Sequence, residues 1–167
     1  MVGQSFTGGQ AVVVGAGTSG LGAAAALANH FEQVTVLERG ELPATAIPRS
    51  GTPQDKHLQG LLTGGLRAFG ALLPGFAEDL HRAGATPMRV GADVRYEYPG
   101  CDPMPQPDHD WTLYSLSRPL LEVTLRRRIA QKANVTFRQN CRVLEILRQG
   151  DEHAAGGVRY ETAEGKR

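Results

Sequence analysis

Residues 11–20 read Ala-Val-Val-Val-Gly-Ala-Gly-Thr-Ser-Gly, and this stretch decides the fold. A β-branched run that ends in glycine is typical of a strand buried on both faces, which favours a parallel sheet. The Ala-rich residues 21–30 predict a helix, and residues 34–37 predict a second strand. Together the three segments predict a βαβ unit at the start of the chain.

A Gly-x-Gly-x-x-Gly fingerprint lies between the first predicted strand and the helix. Gly15 would make the turn, Gly17 would let the backbone approach a diphosphate, and Gly20 would let the helix pack on its strand. The free N–H groups at the start of the helix would then receive the phosphates. The residues predicted to contact the cofactor here are Gly15, Ala16, Gly17, Thr18, Ser19 and Gly20.

Glu38 ends the second predicted strand, eighteen residues after Gly20. A carboxylate at this position accepts hydrogen bonds from ribose hydroxyls and disfavours a 2′-phosphate. The fingerprint therefore predicts FAD or NAD in this pocket and not NADP. The alternative is a glycine-rich turn that binds nothing.

The composition excludes several classes of function. The chain has 167 residues, with 18 Lys and Arg against 17 Asp and Glu, and a net charge of +1 is no footprint for nucleic acid or anionic lipid. Cys101 and Cys141 lack the spacing of a zinc site, and the two cysteines make no disulfide scaffold, so a reducing cytoplasm is expected. The weakly apolar residues 11–28 predict neither a signal peptide nor a membrane span.

The rest of the chain extends the α/β pattern. A loop with three prolines over residues 40–56 is expected to be functional, since long loops in compact domains usually are. The last two predicted strands form an antiparallel ribbon. The predicted fold class is therefore a Rossmann-like α/β domain with a parallel sheet and an antiparallel ribbon. The further predicted elements are helices over 58–73, 76–83 and 118–132, and strands over 88–98, 111–116, 135–137, 142–147 and 158–161.

Three segments resemble one family of flavoproteins. They are residues 12–39, which close with Leu-Glu-Arg; residues 48–54, Pro-Arg-Ser-Gly-Thr-Pro-Gln, followed by His57; and residues 116–122, Leu-Ser-Arg-Pro-Leu-Leu-Glu. In these segments the chain resembles the N-terminal FAD-binding part of FAD-dependent monooxygenases of the para-hydroxybenzoate hydroxylase type, in a bacterial branch. The relatives of geranylgeranyl reductases and halogenases belong to the same group.

The resemblance implies a set of cofactor contacts. It implies that Glu38 holds the adenosine ribose and that Arg39 and Arg118 lie along the adenosine and the diphosphate. It implies that the ribityl chain or the flavin ring is approached by Arg49, Gln54 and His57, and that Val143 presents its backbone to the adenine. It also implies that NAD(P)H reduces the flavin and that oxygen passes to a small-molecule substrate. No catalytic residue is assigned, and neither the substrate nor the choice of NADH or NADPH is readable.

The resemblance further implies an incomplete enzyme. Proteins of this family continue past the ribbon, so residues 1–167 are expected to form an FAD-binding domain that is incomplete at its C-terminus, with substrate-side strands inserted at about 88–117. The isolated chain is expected to be inactive. Residues 11–14 would form an open sheet edge, which invites self-association or a complementary polypeptide.

Two other functions stay open. The first is a non-catalytic nucleotide-binding module that acts with a partner chain, and the second is an NAD-dependent oxidoreductase, which the long loop after Glu38 disfavours. No metal site is predicted, because residues 108–110, Asp-His-Asp, have no second ligand cluster. Residues 126–128, Arg-Arg-Arg, would spread around a helix, which predicts a solvated face rather than a nucleic-acid contact.

Overall fold

The fold is known from a computed structural model that describes residues 6–149, 154–162 and 164–166. The described residues leave out residues 150–153, which belong to the predicted link between the two ribbon strands, and the last residue of the chain. The elements follow one another as β1 (Gly8–Val14), α1 (Thr18–Leu27), β2 (Phe31–Leu37), β3 (Leu58–Leu61), α2 (Thr63–Leu72), α3 (Phe76–Arg82), β4 (Thr86–Arg89), β5 (Thr112–Ser117), α4 (Arg118–Ile129), β6 (Val135–Arg138), β7 (Arg142–Gln149), β8 (Ala154–Thr162) and β9 (Gly165–Lys166).

The described strands form three sheets. A parallel sheet has the order β1-β2-β6, with Val13 opposite Val36 and Val36 opposite Phe137. An antiparallel sheet has the order β3-β5-β4, and the antiparallel ribbon has the order β7-β8-β9. The predicted fold class, a Rossmann-like parallel sheet with an antiparallel ribbon, is confirmed.

The core lies on one face of the parallel sheet. There α1 and α4 pack together, and the fully buried side chains include Leu21, Val36, Phe76 and Ile129, each 0% exposed. The predicted start of α4 is confirmed, because Ser117 caps the helix and its Oγ accepts from Leu120 N–H at 3.3 Å.

The prediction that β1 is buried on both faces is wrong for the described residues. Val13 faces the core and is 7% exposed, whereas Val12 and Val14 on the opposite face are 41% and 57% exposed. β1 is an edge strand of its sheet and bonds to β2 alone among the described strands. Apolar side chains on both faces predict burial only when elements are present to cover each face.

The helix predicted from residue 58 begins later. Leu58–Leu61 form β3, which pairs antiparallel with β5, and α2 begins at Thr63. Helical spacing of the leucines was outweighed here by backbone hydrogen bonds to β5 and by Gly60, a weak helix former. As a result Leu58 is 86% exposed.

The strand predicted over residues 88–98 is also shorter than expected. β4 ends at Arg89, whose N–H donates to Asp93 Oδ2 at 2.7 Å, and Gly91 adopts a φ of +86°. The carboxylate and the positive φ together form a turn, so the strand cannot continue.

Two helix ends also differ from the sequence patterns. α1 begins at Thr18 and not at residue 21, because the glycine turn leads directly into it, and it ends at Leu27. α4 ends at Ile129, before the predicted residue 132, since the last residues of the pattern form single turns. Among the described residues, no helix has the length and apolar character needed to cross a membrane.

Candidate functional site

The glycine turn joins β1 to α1 at the carboxyl end of the parallel sheet. Gly15 has a φ of +95°, and its N–H donates to Leu37 O at 2.8 Å, which ties the turn to β2. A Cβ on Gly20 would lie 2.0 Å from Gly15 O, so the turn and the helix meet too closely for any side chain there. These contacts fix the start of α1 against its strand.

Gly17 has no side chain and therefore leaves one side of the turn open. It is the N-cap of α1, and a Cβ built on it would lie 3.4 Å from Arg118 Nη2 and 3.7 Å from Glu122 Oε1. Next to it, Thr18 Oγ1 is buried and has no hydrogen-bond partner among the described residues. A helix N-terminus with a free hydroxyl and a nearby guanidinium is suited to an anion such as a diphosphate.

Glu38 lies directly against the glycine turn. It follows the last residue of β2 and is 6% exposed. Its Oε2 accepts from Ala16 N–H at 2.8 Å and its Oε1 from Gly40 N–H at 3.0 Å. Burial alone would raise the pKa of Glu38, but these two hydrogen bonds and the charge of Arg49 outweigh burial and lower the pKa. The carboxylate is therefore ionised at neutral pH.

Arg49 links Glu38 to α4. The long loop after β2 brings its guanidinium to 3.3 Å from Glu38 Oε2, and its Nη2 bonds to Glu122 Oε2 at 3.0 Å. Burial would lower the pKa of Arg49, but the hydrogen bonds and charges of Glu122 and Glu38 raise it. The carboxylates of Glu38 and Glu122 thus hold one buried guanidinium beside the glycine turn.

Arg118, the first residue of α4, continues this charge cluster. Its Nε donates to Glu122 Oε1 at 2.8 Å, and its Nη1 donates to Gln54 Oε1 at 3.2 Å. Asp55 lies 4.0 Å from the same Nε and is itself 6% exposed. We use the name charge cluster for Glu38, Arg49, Asp55, Arg118 and Glu122. They lie just after β2, in the long loop, in a 3₁₀ turn at Pro53–Lys56, and in α4.

The loop that carries Arg49 is held at two places. Asp55 Oδ2 accepts from Arg49 N–H at 3.0 Å and from the Thr52 hydroxyl. At the other end, Arg126 donates to Pro43 O, and Arg127 Nη2 donates to Ala44 O at 2.8 Å. The three adjacent arginines of α4 are therefore not simply a solvated face, since Arg128 also pairs with Asp79 at 2.9 Å.

A cavity of about 370 Å³ lies over the glycine turn and the charge cluster. Its volume is within the range of small-molecule sites, which is about 300–1,000 Å³. The structure brings seven of the predicted contact residues together in its lining, namely Gly15, Gly17, Glu38, Arg39, Arg49, Arg118 and Val143.

The other predicted residues have different surroundings. Ala16 is buried and presents its N–H to Glu38, Gln54 contacts Arg118, and the open side of Gly20 is filled by Gly15. Ser19 and His57 are exposed and lie outside the cavity lining. The predicted contacts of His57 with the flavin side stay a prediction.

Sequence reasoning missed the residues that connect the predicted ones. Glu122, at 2% exposed, was quoted only as the end of a motif, although its spacing of four residues from Arg118 puts the two on one helix face. Asp55 and the cavity residues Cys141 and Arg142 carried no motif of their own. Their roles come from contacts between segments far apart in the chain.

Comparisons with known proteins agree with this architecture. A family model described as an NAD(P)-binding Rossmann-like domain matches residues 13–68. The solved structure of the myxobacterial chondrochloren halogenase CndH, described as a variant of FAD-dependent halogenases, matches with a TM-score of 0.66 and 26% identity over 99% of this chain. Over its own length, the chain has the fold of the corresponding part of FAD-dependent halogenases and monooxygenases.

Two further proteins extend the comparison, one by its fold and one by its sequence. The p-nitrophenol 4-monooxygenase PnpA of Pseudomonas putida DLL-E4 matches over 98% of this chain, with a TM-score of 0.64 and 19% identity. Protein Rv3254 of Mycobacterium tuberculosis is 39% identical over 129 residues, which are 75% of this chain. The chain spans 27% of the length of Rv3254, 35% of CndH and 38% of PnpA.

Proposed function

We propose that this chain binds FAD at the glycine turn, as the nucleotide-binding part of a flavin-dependent oxidoreductase. One observation carries the proposal: the cavity brings the open side of Gly17, the acid Glu38 and the guanidinium of Arg118 to one place. A dinucleotide needs these three features, because its diphosphate seeks N–H groups and positive charge, and its ribose seeks a carboxylate.

The residues of the cavity fit the parts of such a ligand. The first turn of α1 and Arg118 Nη2 would hold the diphosphate beside Gly17. Among the described residues, Glu38 Oε1 accepts from Gly40 N–H alone and would use its second lone pair for a ribose hydroxyl, whereas Oε2 already takes both Ala16 N–H and Arg49. Val143, at the start of β7, would face the adenine, and Arg39 and Arg49 border the same space. When bound, the flavin supplies hydride acceptance and oxygen chemistry.

FAD is favoured over NAD by the length of the loop and by the structural relatives. The loop after Glu38 extends to the 3₁₀ turn at Pro53–Lys56 and forms one wall of the cavity through Arg49, Ser50 and Gly51. Among the similar structures, CndH is a variant of FAD-dependent halogenases and PqsL of Pseudomonas aeruginosa is a probable FAD-dependent monooxygenase.

A titration with FAD tests this proposal. Purified chain should quench flavin fluorescence saturably, and Gly17→Val should abolish the quenching, because its side chain would enter the space of the diphosphate. Gly70→Ala is the matched control, since a Cβ there meets nothing within 4 Å. A folded wild-type chain that leaves FAD fluorescence unchanged at high concentration would refute the proposal.

For the whole protein we propose oxidation or hydroxylation of a small organic substrate with NAD(P)H and oxygen. The support is the fold shared with monooxygenases, whose full length the chain spans only in part. The chain alone should bind FAD but show no NAD(P)H consumption above the rate of free flavin.

The free thiols of Cys101 and Cys141 support a reducing compartment such as the cytoplasm.

A second proposal concerns the edge of the parallel sheet, where a strand from another polypeptide or another copy would pair with β1. Val12 and Val14 are 41% and 57% exposed on this strand, and a groove of about 310 Å³ separates them from Ile146 and Val158 of the ribbon. An exposed apolar edge of this kind is a template for strand pairing. A nucleotide-binding module that acts with a partner chain would use this surface.

Sedimentation at several concentrations tests the edge proposal. The wild-type chain should associate as its concentration rises, and Val12→Lys should reduce the association by placing a charge on the edge strand. Leu58→Lys is the matched control, because Leu58 is 86% exposed but lies in a different sheet. A monomer at all concentrations, with or without the substitution, would contradict self-association.

A further inference from the structure

Glu122 is a buried carboxylate that holds two arginines at once. It lies in the second turn of α4 and is 2% exposed. Its Oε2 accepts from Arg49 Nε and Nη2 at 3.2 and 3.0 Å, and its Oε1 accepts from Arg118 Nε at 2.8 Å. A glutamine could not replace these contacts, because its amide group would present a donor to one of the two guanidinium groups.

The guanidinium of Arg118 has a held side and a free side. Nε bonds to Glu122 and Nη1 bonds to Gln54. Nη2 has no hydrogen-bond acceptor among the described residues, and it is the nitrogen that lies 3.4 Å from a Cβ built on Gly17. The contacts on the held side therefore aim the free nitrogen at the open side of the glycine turn.

We propose that Glu122 is a positioning residue for diphosphate binding, which orients Arg118 toward Gly17 and keeps Arg49 against Glu38. The inference rests on the proposed FAD site and adds the residue through which its two arginines act. Long side chains that are ordered before binding lose less freedom when the ligand arrives, which increases affinity. Glu122 supplies this order to both arginines from inside the protein.

Charge and orientation give opposite expectations for this residue. As a bare negative charge beside an anion site, Glu122 would weaken diphosphate binding, so its neutralisation would tighten the complex. As a positioning residue it strengthens binding, so its neutralisation would weaken the complex. The sign of the change in FAD affinity therefore separates the two roles.

FAD titrations of wild type, Glu122→Gln and the control Glu32→Gln measure this sign. Glu32 is an exposed carboxylate at the opposite end of β2 from Glu38. Glu122→Gln should raise the dissociation constant about tenfold, the cost of ordering one or two arginine side chains on binding, and Glu32→Gln should leave it unchanged. An unchanged or tighter complex in a folded Glu122→Gln variant overturns the proposal while the proposed FAD site stands.

A double-mutant cycle distinguishes positioning from a general structural role. If Glu122 acts through Arg118, Glu122→Gln should cost little further affinity once Arg118→Gln is present, because the oriented guanidinium is already gone. A loss of the same size in both backgrounds overturns action through Arg118. The folded state of each variant is checked by its thermal unfolding.

A measurement without ligand keeps the two proposals separable. In the ¹⁵N spectrum of the wild-type chain, the Nε–Hε group of Arg118 should exchange with water at least tenfold more slowly than that of exposed Arg67, because it is bonded to Glu122. Exchange as fast as that of Arg67 overturns the positioning role even if Glu122→Gln fails to fold. A wild-type chain with slow exchange but no FAD binding refutes the proposed function, and with it the diphosphate role of the orientation.

Discussion

At β1 one face of the parallel sheet is covered and the other is open, although the strand places valines on both. On the covered face Val13 packs against α1, and Leu21 of that helix is fully buried. On the open face Val12, Val14 and Ile146 border a groove and remain largely exposed. The sequence pattern of a strand shows which side chains are apolar enough to be buried. Whether each of them is buried depends on whether a neighbouring element covers its face of the sheet.

The largest expected effect is on the covered side, at the close contact of α1 with the glycine turn. Gly20→Ala should destabilise the chain by about 3 kcal/mol or more, because the added Cβ would lie 2.0 Å from Gly15 O. Denaturant unfolding measures the loss. Gly70→Ala should instead leave stability unchanged or raise it by up to about 1 kcal/mol, and equal effects of the two substitutions would show that the turn is not crowded.

Paired truncations on β1 test the two faces directly. Val13→Ala should cost about 1–2 kcal/mol of unfolding free energy through lost burial and a small cavity, whereas Val12→Ala should change it by less than about 0.5 kcal/mol. Both are measured by denaturant unfolding of dilute protein. Equal costs would mean that the open face is covered in solution.

Acid should lower the free energy of unfolding through protonation of Glu38. Its pKa is lowered in the folded state from an ordinary value of 4.5, so folding is favoured above that value and the benefit disappears as the pH falls through the folded pKa. The difference in unfolding free energy between wild type and Glu38→Gln should be constant from pH 8 to about pH 5.5 and shrink at lower pH. A difference that stays constant or grows on acidification would refute this role of the carboxylate.

The smallest effect is expected on the open face. Ile146→Thr should change the unfolding free energy by less than about 0.5 kcal/mol, since Ile146 is 64% exposed. Ile129→Thr is its matched control on the covered side, where the side chain is 0% exposed, and it should cost several times more. A large cost at Ile146 would show that the ribbon packs against the open face.

Local signals were sufficient for the elements around the glycine turn. The strand, the fingerprint and the position of Glu38 were all predicted from residues 11–38, because turn geometry and alternation are set within a few residues. The Ser117 cap of α4 was predicted for the same reason. β3 was missed because its pairing with β5 joins residues more than fifty positions apart, which no local spacing reports.

The charge cluster shows the same limit within the site. Arg49 and Arg118 were named from a resemblance, but their common partner Glu122 was not, since a buried acid on a helix has no sequence signature of its own. The pairing of Arg49 with Glu122 spans 73 residues and depends on the path of a loop that Arg126 and Arg127 tie to α4.

The amino-acid sequence by itself determined that the chain forms a βαβ unit with a Gly-x-Gly-x-x-Gly turn and an acid after its second strand, because backbone sterics and side-chain periodicity act over short distances. Tertiary structure alone decided which face of β1 is covered, that the carboxylate of Glu38 lies against Ala16, and that Glu122 joins two arginines. These outcomes depend on contacts between segments that are far apart in the chain, because burial and charge pairing arise only where such segments pack together.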